Sequence, residues 1–587
     1  MLPHLRKTCG NIIFLYIYKR FIMRNILTLA IAVVLPVLMA AQPQPSFRLD
    51  WAATGSHCVI GGGPSLEFQK KAFNHVAWRG EKVFAQAVVS SEEEELKDVR
   101  LSVSDLRNGK SLIGAENIRL QFVSYVVSDL LDTTKYGQCG SREDKSKWGE
   151  VLVADVLDIN DSMTVPAGRK QPVWMTVSVP SDARPGKYSG KLTVTSSNAK
   201  ARSLNVELTV ADHVLPPARD WAFHLDLWQN PYSVARYENV PLWSEAHFEA
   251  MRPVMRMLAE AGQKSVTATI MSRPWNGQTE DAFGSMVTKI RRIDGTWLYD
   301  YTIFDRWVEF MFSLGIDRQI NCYSMIPWAL QFDYIDQATS SPATFQAAPG
   351  SEEYNEYWGA FIADFARHLK AKGWFEKTMI AMDERPLKSM QAVLGLIRKI
   401  EPAFKISLAG NYHEPVIYDI VDFSETFSGK QEFPESAKAK RKELGLTTTF
   451  YTCCAEAHPN MFVISNPDEA AWLGWFAQAD GYDGYLRWAY NSWTLDPLTD
   501  ARFRTWPAGD CFVVYPGGRG SVRFSKLVEG IQDFEKVRIL RSRWQETGNE
   551  AKLGQLTGIL KSFTSETVLA EGPAKALAAA KSFLDRQ

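Results

Sequence analysis

The chain reads as a multidomain protein: an N-terminal antiparallel β-sandwich, a central (β/α)8 TIM-like barrel and a small C-terminal α/β appendage. Three observations predict this. Its 587 residues exceed what one core serves, so two or three domains are expected. Residues 45–215 carry short runs of alternating polar and apolar residues, punctuated by Gly, Pro and Ser, as half-buried strands do. Residues 220–495 then hold eight short apolar runs, most of them separated by helical stretches, and that repeated alternation predicts a parallel barrel. A doubly wound open sheet is the alternative, and the count of eight favours the barrel.

The elements follow in order. From Met23 the sequence reads MRNILTLAIAVVLPVLMAAQ: one Arg, an apolar run from Ile26 to Met39, then small residues. The run is too short to span a membrane and lacks a stop-transfer flank. Residues 1–41 are therefore read as a signal peptide with Met23 as the true start, and the protein as exported, periplasmic or extracellular, with no membrane span in the mature chain. Cleavage near Ala41 removes five basic residues and no acid, which leaves 61 basic against 67 acidic side chains. In the sandwich, Val173–Val179, Ser189–Thr195 and Ser203–Val210 alternate as strands, with a turn over Pro180–Gly186. Leu215-Pro216-Pro217 reads as a stiff linker. The barrel runs are Ala222–Trp228, Ser265–Met271, Arg318–Met325, Lys377–Glu384, Lys405–Gly410, Phe423–Gly429, Thr447–Cys454 and Gly484–Tyr490. Helices are expected over Ser244–Ala261, Ile303–Leu314, Glu352–Lys372, Leu387–Ile400, Glu435–Leu444 and Asp468–Ala479. In the appendage, residues 496–587, a strand and turn are expected over Cys511–Gly517, followed by helices over Leu527–Trp544, Gly554–Phe563 and Pro573–Leu584.

Composition narrows the function classes. A formal net charge of -1 implies no nucleic-acid partner. Aromatics reach 12%, including 19 Trp; most serve the core, and the remainder can offer stacking faces to sugars. The seven Cys include no C-x-x-C pair, and no His has zinc spacing. Cys58 and Cys139 can pair or stay free, and vicinal Cys453-Cys454 reads as structural. His224, His413 and His458 are scattered, so no metal is expected. No G-x-S-x-G elbow occurs. Val59–Pro64 resembles a dinucleotide fingerprint only superficially, because Leu66 takes the third glycine position and no βαβ unit follows. No cofactor is expected.

The chemistry is expected at Asp383-Glu384, which closes the apolar run Met379–Met382. An ionised carboxylate is costly to bury without a partner, and two neighbours push their pKa values apart, which equips them for acid-assisted bond cleavage. A solvated pair opening a loop is the competing reading. In a barrel the site lies at the C-terminal strand ends. Those ends offer Trp228, Asn230, Trp275, Tyr323, Trp328, Asn411, His413, Tyr451, Arg487 and Trp488, with His224 inside the first run. Aromatic faces, amides, a His and carboxylates together suit a sugar.

A set of motifs resembles glycoside hydrolase family 123, the β-N-acetylgalactosaminidases. They are Met382-Asp383-Glu384-Arg385-Pro386, Tyr485–Trp493 with Asp496-Pro497, Gly509-Asp510, Val514–Gly517 and Glu529–Phe534. The resemblance implies a sandwich followed by a barrel, and a retaining mechanism in which the substrate's 2-acetamido oxygen is the nucleophile. It implies Glu384 as general acid and then base, and Asp383 as acceptor of the acetamido N–H. Tyr451 would bond the acetamido carbonyl, Trp488 or Trp328 would stack on the sugar, and His224, Asn230, Asn411 and Tyr323 complete the expected binding set. Consecutive strand residues face opposite ways, so the strand must bend or end at Glu384; Arg385-Pro386 is a suitable place. The substrate implied is a glycan with terminal β-linked N-acetylgalactosamine. A glycosidase of other specificity, or a non-catalytic carbohydrate-binding surface protein, are the rival readings.

Overall fold

The computed structural model describes residues 46–62, 66–69, 73–130 and 149–587. The expected signal peptide, the Met23 start and Cys139 lie outside them.

The N-terminal unit is two packed sheets. One runs in the order 48–52, 82–90, 170–178, 118–128, 151–157, 59–60; the other runs 162–165, 96–103, 186–195, 202–214, 73–79. Pairing is antiparallel except between strands 202–214 and 73–79, which are parallel. Inward residues alternate along each strand, so Val173, Met175 and Val177 of one sheet meet Leu192, Val206 and Leu208 of the other in a shared core. Val59–Ile60, at the start of the glycine-rich segment, is an edge strand paired antiparallel with Leu152–Val153, not a strand of a parallel βαβ unit.

Eight parallel strands form the second unit: β1 (His224–Leu227), β2 (Ser265–Thr269), β3 (Gln319–Tyr323), β4 (Thr378–Asp383), β5 (Lys405–Ala409), β6 (Asp422–Thr426), β7 (Thr447–Tyr451) and β8 (Gly484–Arg487). They pair in sequence from β2 to β8, and β8 pairs with β1. The β1–β2 seam is closed mostly by side chains. Lys264 N–H donates to the Leu225 carbonyl at 2.9 Å as a backbone rung. Above it, Gln263 accepts from Leu227 N–H (3.0 Å) and donates to the Ser265 carbonyl (2.8 Å). Gln229 in turn accepts from Thr267 N–H at 2.8 Å. A glutamine amide carries the donor and acceptor of a peptide group, so it can stand in where two strands splay too far for the ladder.

The six expected helices all form. Residues 352–372 show why: Ser351 accepts from Tyr354 N–H at the N-cap, and Gly373 ends the helix at φ 71°. Trp358, Phe361, Phe365 and Leu369 bury one face. The chain after β2 and β3 also builds a four-stranded sheet (288–291, 297–300, 331–336, 341–346) that the sequence reading passed over. Its strands are short, and two of them alternate half-buried with exposed residues too briefly to stand out.

Beyond β8 the expected strand at Cys511–Gly517 is absent. Its backbone is claimed instead by the barrel loop and by side chains: Ser492 N–H donates to Cys511 C=O (3.0 Å), Val513 N–H to Tyr490 C=O (2.9 Å), and Arg523 to Phe512 C=O (3.0 Å). The helix Val522–Glu546 then wedges between barrel and sandwich. Gln532 exchanges two hydrogen bonds with the Lys82 backbone (2.8 and 2.9 Å), and Arg523 pairs with buried Asp155 (2.9 Å). No described helix is long and apolar enough to cross a membrane.

Candidate active site

Strand β4 ends at Asp383, and Glu384 takes the left-handed conformation at φ 47°. This breaks the strand's alternation, so adjacent carboxylates no longer face opposite sides of one sheet. A non-glycine residue at positive φ costs about 1–3 kcal/mol and persists where surrounding structure demands it. Here that structure is strand β5. Glu384 N–H donates to the Ala409 carbonyl at 2.8 Å, and Gly410 (φ 151°) lies directly against the Glu384 backbone. A Cβ at Gly410 would sit 2.9 Å from Glu384 Cα and 3.0 Å from its nitrogen. Gly410→Ala is therefore expected to push Glu384 aside. Displacements of about 1 Å can cost about 10²-fold in rate, so turnover at saturating substrate should fall at least tenfold. An unchanged rate would show that the close approach does not position Glu384.

The two carboxylates have different partners. Asp383 is half-buried and accepts from the Trp328 indole N–H at 3.2 Å. Trp275 faces the same carboxylate without closing a hydrogen bond. Burial, then the charge of Glu384, push the Asp383 carboxyl well above the ordinary carboxylate range, against the pull of Arg385 and Trp328. Glu384 is exposed, and it accepts from the Tyr451 hydroxyl at 2.9 Å. Burial and the negative charge of Glu384 raise the Tyr451 pKa, so its hydroxyl stays a donor.

Arg385 braces the turn. Its Nε–H donates to the Asp383 carbonyl (2.6 Å), and its guanidinium lies 5.1 Å over the Trp328 ring, the same ring whose N–H holds Asp383. His413 Nε2–H donates to the Arg385 carbonyl at 2.9 Å. On the facing side stands an aromatic wall. Trp228 stacks on Trp275 at 4.9 Å, Tyr323 packs 4.6 Å from Trp228, and Phe283 stands edge-on to Trp275. Trp488 completes the cluster, its N–H on Asp510 at 3.3 Å.

Asp383, Glu384, Tyr323, Trp328, Tyr451 and Trp488 thus meet at the C-terminal mouth of the barrel, and Asn411 is exposed at the rim beside Gly410. Two of the expected residues do not join them. His224 is the first residue of β1, at the opposite end of the barrel, and pairs with Asp422 at 3.3 Å. Burial alone would lower its pKa, but Asp422 outweighs that and the net shift is upward. Asp226, one turn of the pleat above, is pushed up to about 7 by burial and by Asp422. Asn230 is fully buried and spends its amide internally, capping the helix 231–237 and bonding Ser492 at 3.2 Å. A strand-end count could not separate residues that face the cleft from those that tie loops together. Gly410 was the positioning residue it missed, and Arg385, expected only where the strand breaks, also braces the turn. A lone glycine at a strand end signals close backbone approach, but not to which backbone.

Cys58 is a free thiol, which removes the Cys58–Cys139 pairing. Cys453 is also free, whereas Cys454 is disulfide-bonded. Among the described residues no three His, Cys, Asp or Glu side chains gather as metal ligands.

The comparisons agree with this geometry. The family description "Glycoside hydrolase 123, catalytic domain" matches residues 228–540, and "Glycoside hydrolase 123 N-terminal domain" matches residues 63–196. Among solved structures, a family 123 glycoside hydrolase from Clostridium perfringens, studied for glycolipid glycan hydrolysis, is 25% identical. It superposes with a TM-score of 0.82 over 92% of this chain and 98% of its own. A family 39 glycoside hydrolase from Bacteroides cellulosilyticus WH2 is 12% identical, with a TM-score of 0.33 over 64% of this chain and 76% of its own, an overlap too loose to argue from. No curated protein sequence matches.

Proposed function

The chain belongs to glycoside hydrolase family 123, and from that premise we propose that this glycoside hydrolase releases terminal β-linked N-acetylgalactosamine by a retaining, substrate-assisted route. Glu384 protonates the leaving oxygen and then deprotonates water. Asp383 accepts the acetamido N–H and stabilises the oxazolinium charge as the acetamido oxygen attacks the anomeric carbon.

The observation that carries this reading is the left-handed Glu384 directly after the strand end. Two carboxylates that flank a glycosidic bond, as nucleophile and acid, normally stand about 5 Å or more apart on separate elements. Adjacent ones suit a division of labour, one at the leaving group and one at the acetamido arm. Their surroundings support that division. Asp383 sits among indole rings in a partly desolvated pocket, where a hydrogen bond to a developing cation gains strength. Glu384 is exposed, where a leaving group and then a water can reach it. Tyr451, which donates to Glu384 at 2.9 Å, would turn to the acetamido oxygen once substrate binds.

The natural substrate pool proposed is the glycans of glycolipids or similar conjugates, by extension from the C. perfringens relative. Export through the N-terminal segment is proposed with it, since such glycans lie outside the cell.

A panel of p-nitrophenyl glycosides tests the reading. Hydrolysis of the β-GalNAc glycoside without that of β-Gal is expected, because the acetamido arm is the nucleophile. Activity confined to β-Gal or β-Glc would overturn it, and a preference for β-GlcNAc would keep the mechanism and change the sugar.

A further inference from the structure

Beside the aromatic wall runs a narrow cleft lined by Arg273, Trp275, Asn276, Gln278, Phe283 and Trp488. It shares Trp275 with the catalytic mouth, where that ring faces Asp383. Its floor is aromatic and its rim is polar. The rim side chains are unengaged: Arg273, Asn276 and Gln278 make no side-chain hydrogen bond or ion pair among the described residues. Acids nearby do not neutralise Arg273, because Glu280 is paired with Arg504 (2.8 Å) and Asp281 with Arg236 (2.8 Å). The loop that presents these groups is nevertheless firmly held. Arg273 N–H donates to Phe283 C=O (2.8 Å), Trp328 N–H to Pro274 C=O (3.0 Å) and the Trp506 indole to Gln278 C=O (2.8 Å). Arg273 and Asn276 both sit at positive φ, 51° and 55°, a strain that such pinning sustains.

An exposed guanidinium with no counter-ion, carried on a pinned backbone and flanked by two unengaged amides beside an aromatic floor, suits a planar or tetrahedral oxyanion carried on a sugar. The cleft is too narrow for a further ring, so a ligand would meet it with a substituent held at its polar rim. We propose that it is a subsite for an acidic substituent of the glycan, a sulfate ester or a sugar carboxylate, with Arg273 as the group that selects it. The proposal rests on the glycosidase reading for its substrate, and it adds a preference that this reading does not contain.

The test compares kcat/KM of the full chain and its Arg273→Gln variant on three β-GalNAc-terminated substrates: a neutral parent, a sulfated form and a carboxylate-bearing form. For the unaltered chain we expect at least one charged form to exceed the neutral parent by about tenfold, the scale of a hydrogen bond to a charged group. That advantage should shrink with added salt. In Arg273→Gln the charged-to-neutral ratio should fall to near one. Which form is favoured names the source of the charge. Equal rates on all three substrates would overturn the subsite while leaving the glycosidase reading intact, and so would an advantage that Arg273→Gln retains. If no GalNAc substrate turns over, the GalNAc specificity fails separately. Titration of free 6-sulfated GalNAc into both proteins then decides the subsite, and binding that does not weaken in Arg273→Gln would overturn it.

Discussion

Asp383→Asn is expected to abolish turnover on every leaving group, whereas Glu384→Gln should spare part of it on activated aryl glycosides. The difference follows from where each group acts. A p-nitrophenolate departs without a proton, so losing the acid costs little on that substrate. A sugar leaving group needs the proton, and loss of a general acid typically costs about 10²–10⁴-fold. Loss of the acetamido partner removes stabilisation that both substrates require. The amide is nearly isosteric, and each variant keeps an acceptor for Trp328 or Tyr451, so folding should survive.

Asp383 adds a pH signature. Its carboxyl is held well above the ordinary range by burial and by Glu384, and the mechanism needs it ionised. The kcat/KM of the unaltered chain on the aryl glycoside should therefore rise with pH through that raised value. An acid limb in the ordinary carboxylate range would mean that substrate reaches an already ionised Asp383. Equal, unimpaired rates in both variants would remove the pair from catalysis altogether.

Asp510→Ala is the substitution expected to cost most stability. Arg487, at the end of β8, and Asp510 are both fully buried and paired at 3.0 Å. Arg487 also donates to Asn460 at 2.9 Å, and Asp510 holds the Trp488 indole. The pair thus joins the mouth loops after β7 and β8 to the segment that follows. Taking two ions out of water is costly, so the intact pair adds little net stability. Removing one partner strands the other, at about 3–5 kcal/mol. Urea unfolding should show that loss in Asp510→Ala. The double change Arg487→Met with Asp510→Leu should recover most of it, since no charge is left buried. Single and double variants of equal stability would mean that the pair is not desolvated in solution. Catalysis should suffer in both, because Trp488 loses its anchor.

The eight barrel strands and six helices were legible because each depends on local periodicity: buried runs such as Gln319–Tyr323, and the i, i+3, i+4 stripe of residues 352–372. The tail was less legible. Cys511–Tyr515 is apolar enough for a strand, yet its hydrogen bonds go to residues 490, 492 and 523, which no local pattern announces. The small sheet at 288–346 escaped for the opposite reason, being short and only half-buried.

The same division holds at the site. By itself the sequence determined that two adjacent carboxylates end an apolar run and which aromatic residues lie near strand ends; the roles that the resemblance implies for the pair added that the strand must break there. Those are one-dimensional facts about spacing and side-chain chemistry. Only the tertiary structure decided that Gly410 makes room for the left-handed Glu384, that Trp328 serves Asp383 while Tyr451 serves Glu384, and that His224 lies at the far end of the barrel paired with Asp422. Each of these depends on which strand lies beside which and at what register. Contacts between residues far apart in the chain set that, so no window of sequence contains it.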